Sequence, residues 1–91
     1  MFYVYVLKSK KDGRHYIGFT IDLKNRYEEH CSGKVRSTFY RRPLELIYYE
    51  CYKNRKIAQK RERQLKGGEA HIALIKRLAE GRRVDKSFLI D

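Results

Sequence analysis

Ninety-one residues make one domain, and a chain of that size buries only about 60–70% of the surface it exposes when unfolded, so the core is thin. Hydrophobic residues are 42% of the chain and charged residues 36%, a balance that excludes a disordered segment and predicts a very polar exterior. The 22 Lys and Arg against 11 Asp and Glu leave a formal charge of +11, which points to a polyanionic partner, nucleic acid ahead of an anionic membrane.

Residues 2–7, FYVYVL, are almost continuously apolar or aromatic and predict a strand covered on both faces. Lys11-Asp12-Gly13 is a turn signal, and HYIGFT at 15–20 is a second short strand, so the two form a hairpin with a longer loop. Gly18 lies inside that second strand, where a missing side chain marks a bulge or a place where another group approaches the backbone. Asp22 caps a helix to about Cys31. On it Leu23, Tyr27 and His30 share one face, and Arg26 and His30, four apart, project together.

Gly33 ends this helix. A loop follows over 33–43, GKVRSTFYRRP, with Lys34, Arg36, Arg41 and Arg42 interleaved with Phe39 and Tyr40. That mixture suits a phosphate backbone with unstacked bases; it equally suits a solvated basic loop whose aromatics fold onto the core. Pro43 starts a third strand, LELIYYECY, over 44–52. Asn54 caps a second helix to about Lys66, ended by Gly67-Gly68, and a third runs from about 69 to 80 with Leu74, Ile75 and Leu78 as its core stripe. The expected domain is 1–80, with 81–91 as a C-terminal tail. The expected fold is α+β, a small three-stranded antiparallel sheet flanked by helices in the order β-β-α-β-α-α.

The second helix carries a carboxylate at an inward position: Ala58, Glu62 and Leu65 share the face a helix turns to its core. A carboxylate there costs free energy unless it is paired or bound to a cation. The alternatives are a rim glutamate paired with Arg61 or Lys66, or a ligand for one hard cation whose other ligands are mostly water. Asp12, Asp22, Glu28 and Glu29 read as turn, cap or surface residues, so a two-metal cage is not expected.

Cys31 and Cys51 are too few for a disulfide framework and stand in no CxxC, so they are expected as free thiols, which fits a reducing cytoplasm. His30, Cys31, Cys51 and His71 match no standard zinc spacing. No apolar run approaches the roughly 20 residues of a membrane span, and nothing in the N-terminus reads as a signal peptide. The lack of Trp also argues against an interfacial helix.

These residues together resemble the GIY-YIG nuclease superfamily, especially its small stand-alone bacterial members. The two name-giving tripeptides read Tyr3-Val4-Tyr5 and Tyr16-Ile17-Gly18, followed in order by Arg26, His30 and Glu62, so the resemblance covers residues 2 to about 78. It implies hydrolysis of phosphodiester bonds with a single divalent metal, Mg²⁺ or Mn²⁺. It implies that Glu62 holds the metal, that Arg26 binds the scissile phosphate, and that Tyr16 is the general base on water. Tyr5 would orient groups nearby, and His30, where other branches carry Tyr, would assist proton removal. Phosphorus displacement builds negative charge that a metal and a guanidinium offset, and arginine meets phosphate with a planar fork. The chain departs from the pattern at three points. Tyr3 replaces the first glycine, Phe19-Thr20 stands where some branches carry Lys, and no Asn follows Glu62. Lys34, Arg36, Arg41 and Arg42 are the candidates to supply nucleic-acid contacts instead. The expected partner is DNA more than RNA, with little sequence specificity because no separate targeting domain is present. The alternative within the same fold is a non-catalytic basic module that binds nucleic acid.

Overall fold

The computed structural model describes residues 1–80; the predicted tail at 81–91 lies outside the described residues. Strand β1 (Phe2–Ser9) is central, with β2 (His15–Thr20) on one side and β3 (Leu44–Tyr52) on the other, all antiparallel, in the order β2-β1-β3. The helices are α1 (Leu23–Cys31), α2 (Arg55–Leu65) and α3 (Gly68–Ala79). The α+β class and the β-β-α-β-α-α order are as expected. The segment expected as a loop over 33–43 contains a short 3-10 helix over Arg36–Arg41.

β1 is buried on both faces because the strand separates two apolar clusters. Val4 and Val6 point to one face with Ile17 of β2, where Ala58 and Leu65 of α2 and Leu74 of α3 cover them. Tyr5 and Leu7 point to the other, where Leu46 of β3 and Leu23 of α1 complete a second cluster. Leu7 pairs with Leu46 and Val6 with Tyr48, so Ile47 is an extra residue in β3. This bulge leaves Ile47 and Tyr48 both packed on the α2 side.

Local chemistry sets the helix starts. The Asp22 carboxylate accepts from Asn25 N at 3.1 Å, and the Asn54 side-chain carbonyl accepts from Ile57 N at 3.0 Å. α1 turns Leu23 and His30 inward, which is the face its spacing predicts. α2 is held to β3 by an ion pair. Arg61 donates to both Glu50 oxygens, at 2.8 and 2.9 Å, and the same carboxylate accepts from the Tyr48 and Tyr52 hydroxyls. The carboxyl is held below the usual range: burial pushes it up, but the bonds from Arg61, Tyr48 and Tyr52 outweigh it.

Candidate active site

The register of β1 and β2 places Tyr5 directly opposite Gly18. The Tyr5 ring reaches over that glycine. A methyl group at Gly18 would fall 2.3 Å from both Cζ and the hydroxyl oxygen of Tyr5, so only glycine fits. The close approach anticipated at Gly18 is therefore made by a tyrosine of the neighbouring strand.

Tyr5 is 1% exposed and His30 is fully buried, and the Tyr5 hydroxyl is 2.8 Å from His30 Nε2. The other ring nitrogen, Nδ1, is 2.7 Å from Thr38 Oγ1, also fully buried, which the 3-10 helix turns inward. Burial first, then the Arg26 guanidinium, lowers the His30 pKa to about 4, so the ring is neutral near pH 7. Burial pushes the Tyr5 phenol up to about 12, against the pull of Arg26 beside it. A neutral phenol donates, so we assign the Tyr5 O–H to Nε2 and the His30 proton to Nδ1, facing Thr38.

Tyr16 joins this group through its ring, which meets the His30 ring edge-on at 5.1 Å between centroids and that of Tyr5 at 6.3 Å. Tyr16 remains partly exposed where Tyr5 and His30 are not. Arg26 is one-third exposed and pairs with Glu29 at 3.4 Å. Burial pulls its guanidinium down, yet Tyr5 and Glu29 beside it leave it raised and permanently charged.

Glu62 lies at the rim of the inward face of α2, between fully buried Ala58 and Leu65, with 20% of its side chain exposed. Its charge acts on Tyr5. It also pairs with Lys66 at 3.0 Å, one turn on. Of the two rim partners considered for it, Lys66 is the one found, because Arg61 is taken by Glu50. The five residues singled out in the sequence thus divide into a buried pair, Tyr5 and His30, and three that reach solvent: Tyr16, Arg26 and Glu62. Among the described residues no cluster of three His, Cys, Asp or Glu exists, and both cysteines are free and exposed.

The basic residues of 33–43 behave differently from one another. Lys34 and Arg36 are exposed. Arg41 is tied to the hairpin, with Nε on Asp12 at 3.3 Å and a terminal nitrogen on the His15 carbonyl at 3.3 Å. Arg42 donates to the Phe39 carbonyl at 2.9 Å and covers the Phe39 ring at 4.3 Å from its centroid. The aromatics do not fold onto the core: Phe39 is 39% exposed and Tyr40 79%.

Thr38 and Glu50 were not legible as site-shaping residues. Thr38 sits in a polar run where no periodicity distinguishes inward from outward. For Glu50 a signal exists: Tyr48, Glu50 and Tyr52 alternate on one face of β3, opposite β1 residues of the α2-covered face.

The GIY-YIG catalytic domain family matches residues 1–71 of this chain. A UPF0213 protein of Bacillus pumilus is 45% identical over 65 residues, covering 70% of this chain and 65% of the relative. One of Pediococcus pentosaceus is 44% identical over 66 residues, covering 71% of this chain and 68% of the relative. The solution NMR structure of a UPF0213 protein from Bacillus halodurans is 31% identical, with a TM-score of 0.54 over 89% of this chain and 88% of that one. The chain therefore spans just under two thirds of the length of the Bacillus pumilus relative.

Proposed function

This chain belongs to the GIY-YIG catalytic-domain family, and on that premise we propose that it is a metal-dependent endonuclease hydrolysing phosphodiester bonds in DNA, with little sequence specificity and with selection by structure. The observation that carries the reading is the buried Tyr5–His30–Thr38 chain, with the Tyr16 ring against it and with Arg26 and Glu62 near enough for their charges to act on Tyr5.

Each residue has a task its surroundings suit. Arg26, charged and one-third exposed, binds the scissile phosphate through two parallel N–H donors. Tyr16, held edge-on to His30 and partly exposed, takes the proton of the attacking water as its own phenol proton passes to solvent. Tyr5 and His30 are buried and act as positioning residues: His30 fixes the Tyr5 hydroxyl, and Tyr5 holds its place beside Arg26. His30 shares its hydrogen bond with Tyr5 and not with Tyr16, so any help it gives to proton removal passes through Tyr5.

The donor set fits one divalent cation. Mg²⁺ and Mn²⁺ prefer oxygen, and Mg²⁺ keeps several waters while bound by one or two carboxylates and substrate phosphates. Glu62, half-buried at a rim, offers one such carboxylate; Lys66 is the exposed partner it would release. When bound, the metal offsets charge on the phosphate oxygens and lowers the pKa of a coordinated water.

A nicking assay tests the reading: plasmid and branched DNA with Mg²⁺ or Mn²⁺, using Glu62→Ala and Tyr16→Phe as controls. Cleavage by the wild type that both changes abolish is expected. Equal cleavage by wild type and Glu62→Ala overturns it. The Glu62–Lys66 pair favours a second reading, in which Glu62 is only a rim residue and the chain binds nucleic acid without cutting it. Binding that weakens steeply with salt, without any cleavage, is its signature.

A further inference from the structure

The 3-10 helix Arg36–Arg41 is pinned from several sides, yet it holds an aromatic ring out into solvent. Thr38 is bonded to buried His30 at 2.7 Å. The Ser9 hydroxyl donates to the Arg41 carbonyl at 2.6 Å, and Lys10 N to the Pro43 carbonyl at 2.9 Å. Arg42 lies over Phe39, and Phe39 meets Tyr40 at right angles with centroids 4.8 Å apart. Gly33 makes room for this stack. Its φ is +83°, and a methyl there would fall 2.8 Å from an Arg42 terminal nitrogen and 3.0 Å from Phe39 Cδ2. Tyr40 is the outermost ring, at 79% exposure.

Phe39 braces the Tyr40 ring edge-on and leaves it turned to solvent, an ordered aromatic surface of the kind on which a base stacks. The charge around it says what would bring that base. Arg36, four residues earlier and about 8 Å away along a 3-10 axis, is exposed, as is Lys34. A flat ring near exposed cations that make no ion pair among the described residues suits a strand that offers both phosphates and a free base face. A duplex offers phosphates but keeps its base faces stacked inside, so it cannot use the ring.

We propose that Tyr40 is a stacking platform for an unpaired base of single-stranded DNA, carried on a 3-10 helix that Thr38 ties to His30. The proposal deepens the nuclease reading and rests on its assignment of DNA as partner. It predicts that the chain acts on single-stranded or frayed DNA in preference to continuous duplex.

The test is metal-free binding at low salt, with EDTA present so that no cutting occurs. The probes are a single-stranded DNA oligonucleotide carrying 2-aminopurine, its duplex, and the RNA of the same sequence. Wild type is expected to quench 2-aminopurine in the single strand. Tyr40→Ala should weaken single-strand binding roughly 5- to 150-fold, the range for loss of one base–aromatic stack, and leave duplex binding unchanged. Tyr40→Phe and Tyr40→Trp should bind like wild type. At 79% exposure the change spares the core, which circular dichroism checks. Equal single-strand affinity for wild type and Tyr40→Ala overturns the proposal, as does a Tyr40→Phe as weak as Tyr40→Ala. Tighter binding of the RNA overturns the assignment to DNA. The nuclease reading is scored separately by cleavage with Mg²⁺. A chain that cuts while Tyr40→Ala binds like wild type loses only this proposal. A chain that stacks but never cuts loses only the nuclease reading.

Discussion

Tyr5 and His30, 25 residues apart in the chain, are joined by a buried hydrogen bond of 2.8 Å, and each has its titration displaced toward the neutral form. A central strand and the first helix are thereby locked at one point. Two side chains that resemble reacting groups in sequence are buried in the fold, whereas Tyr16, Arg26 and Glu62 reach solvent.

Gly18→Ala should disable the site through Tyr5. The added methyl overlaps the Tyr5 ring at 2.3 Å, and the ring has no room to retreat in a fully buried cluster. We expect a stability loss of about 1–3 kcal/mol from overpacking, together with loss of cleavage. Urea denaturation and the nicking assay measure both. An alanine variant with wild-type stability and activity would contradict the ring's placement.

Thr38→Val should cost about 1–3 kcal/mol, because it leaves the buried His30 Nδ1–H without an acceptor in a nearly isosteric setting. Thr38→Ser keeps the hydroxyl and should lose far less. The difference between the two in denaturant midpoint is the readout, and equal losses would mean that only packing matters there.

Stability should fall as the solution is acidified through a defined window. The folded His30 pKa, about 4, lies below the ordinary 6.5, so the unfolded chain binds the proton first. The His30 contribution is complete above pH 6.5, declines as pH falls toward 4, and is gone below that. Its size is on the order of 3 kcal/mol. His30→Gln, which keeps polar partners but does not titrate, should flatten the pH dependence between 6.5 and 4. Thermal melts across that range decide it; parallel curves for the two proteins would refute the assignment.

Glu50→Ala should release Arg61 and loosen α2 on the sheet. Removing one partner of a charge-assisted, two-pronged pair costs roughly 1.5–3 kcal/mol. Since Arg61 anchors the turn of α2 that carries Glu62, its release is expected to shift Glu62 and to reduce cleavage further than the stability loss explains. Glu50→Gln, which keeps the acceptor oxygen, should retain more activity than Glu50→Ala. The comparison is made at a temperature where both are fully folded.

Arg26→Lys keeps the charge of Arg26 but not its planar fork. Cleavage should drop about 10²–10³-fold, the scale of one lost charge-stabilising contact in a transition state, while DNA binding changes little. Single-turnover kinetics separate the two. A lysine variant that cuts at the wild-type rate removes Arg26 from the phosphate site.

Much of this protein is written locally. The strands at 15–20 and 44–52 and the caps at Asp22 and Asn54 coincide with the expected ones, since apolar runs, turn residues and capping oxygens act over a few residues. The inward face of α1 follows from its spacing, and so does the rim position of Glu62. Tertiary structure alone decided which polar atoms meet. No spacing rule connects Tyr5 to His30, His30 to Thr38, or Glu50 to Arg61, because those pairs depend on how strands and helices dock rather than on any one period. The basic loop shows the same division. Its composition announced cations and aromatics, but only packing determined that Arg41 and Arg42 make contacts within the molecule while Tyr40 is held outside it. A buried polar atom must find a partner wherever the fold brings one, and that requirement is met in three dimensions, not along the chain.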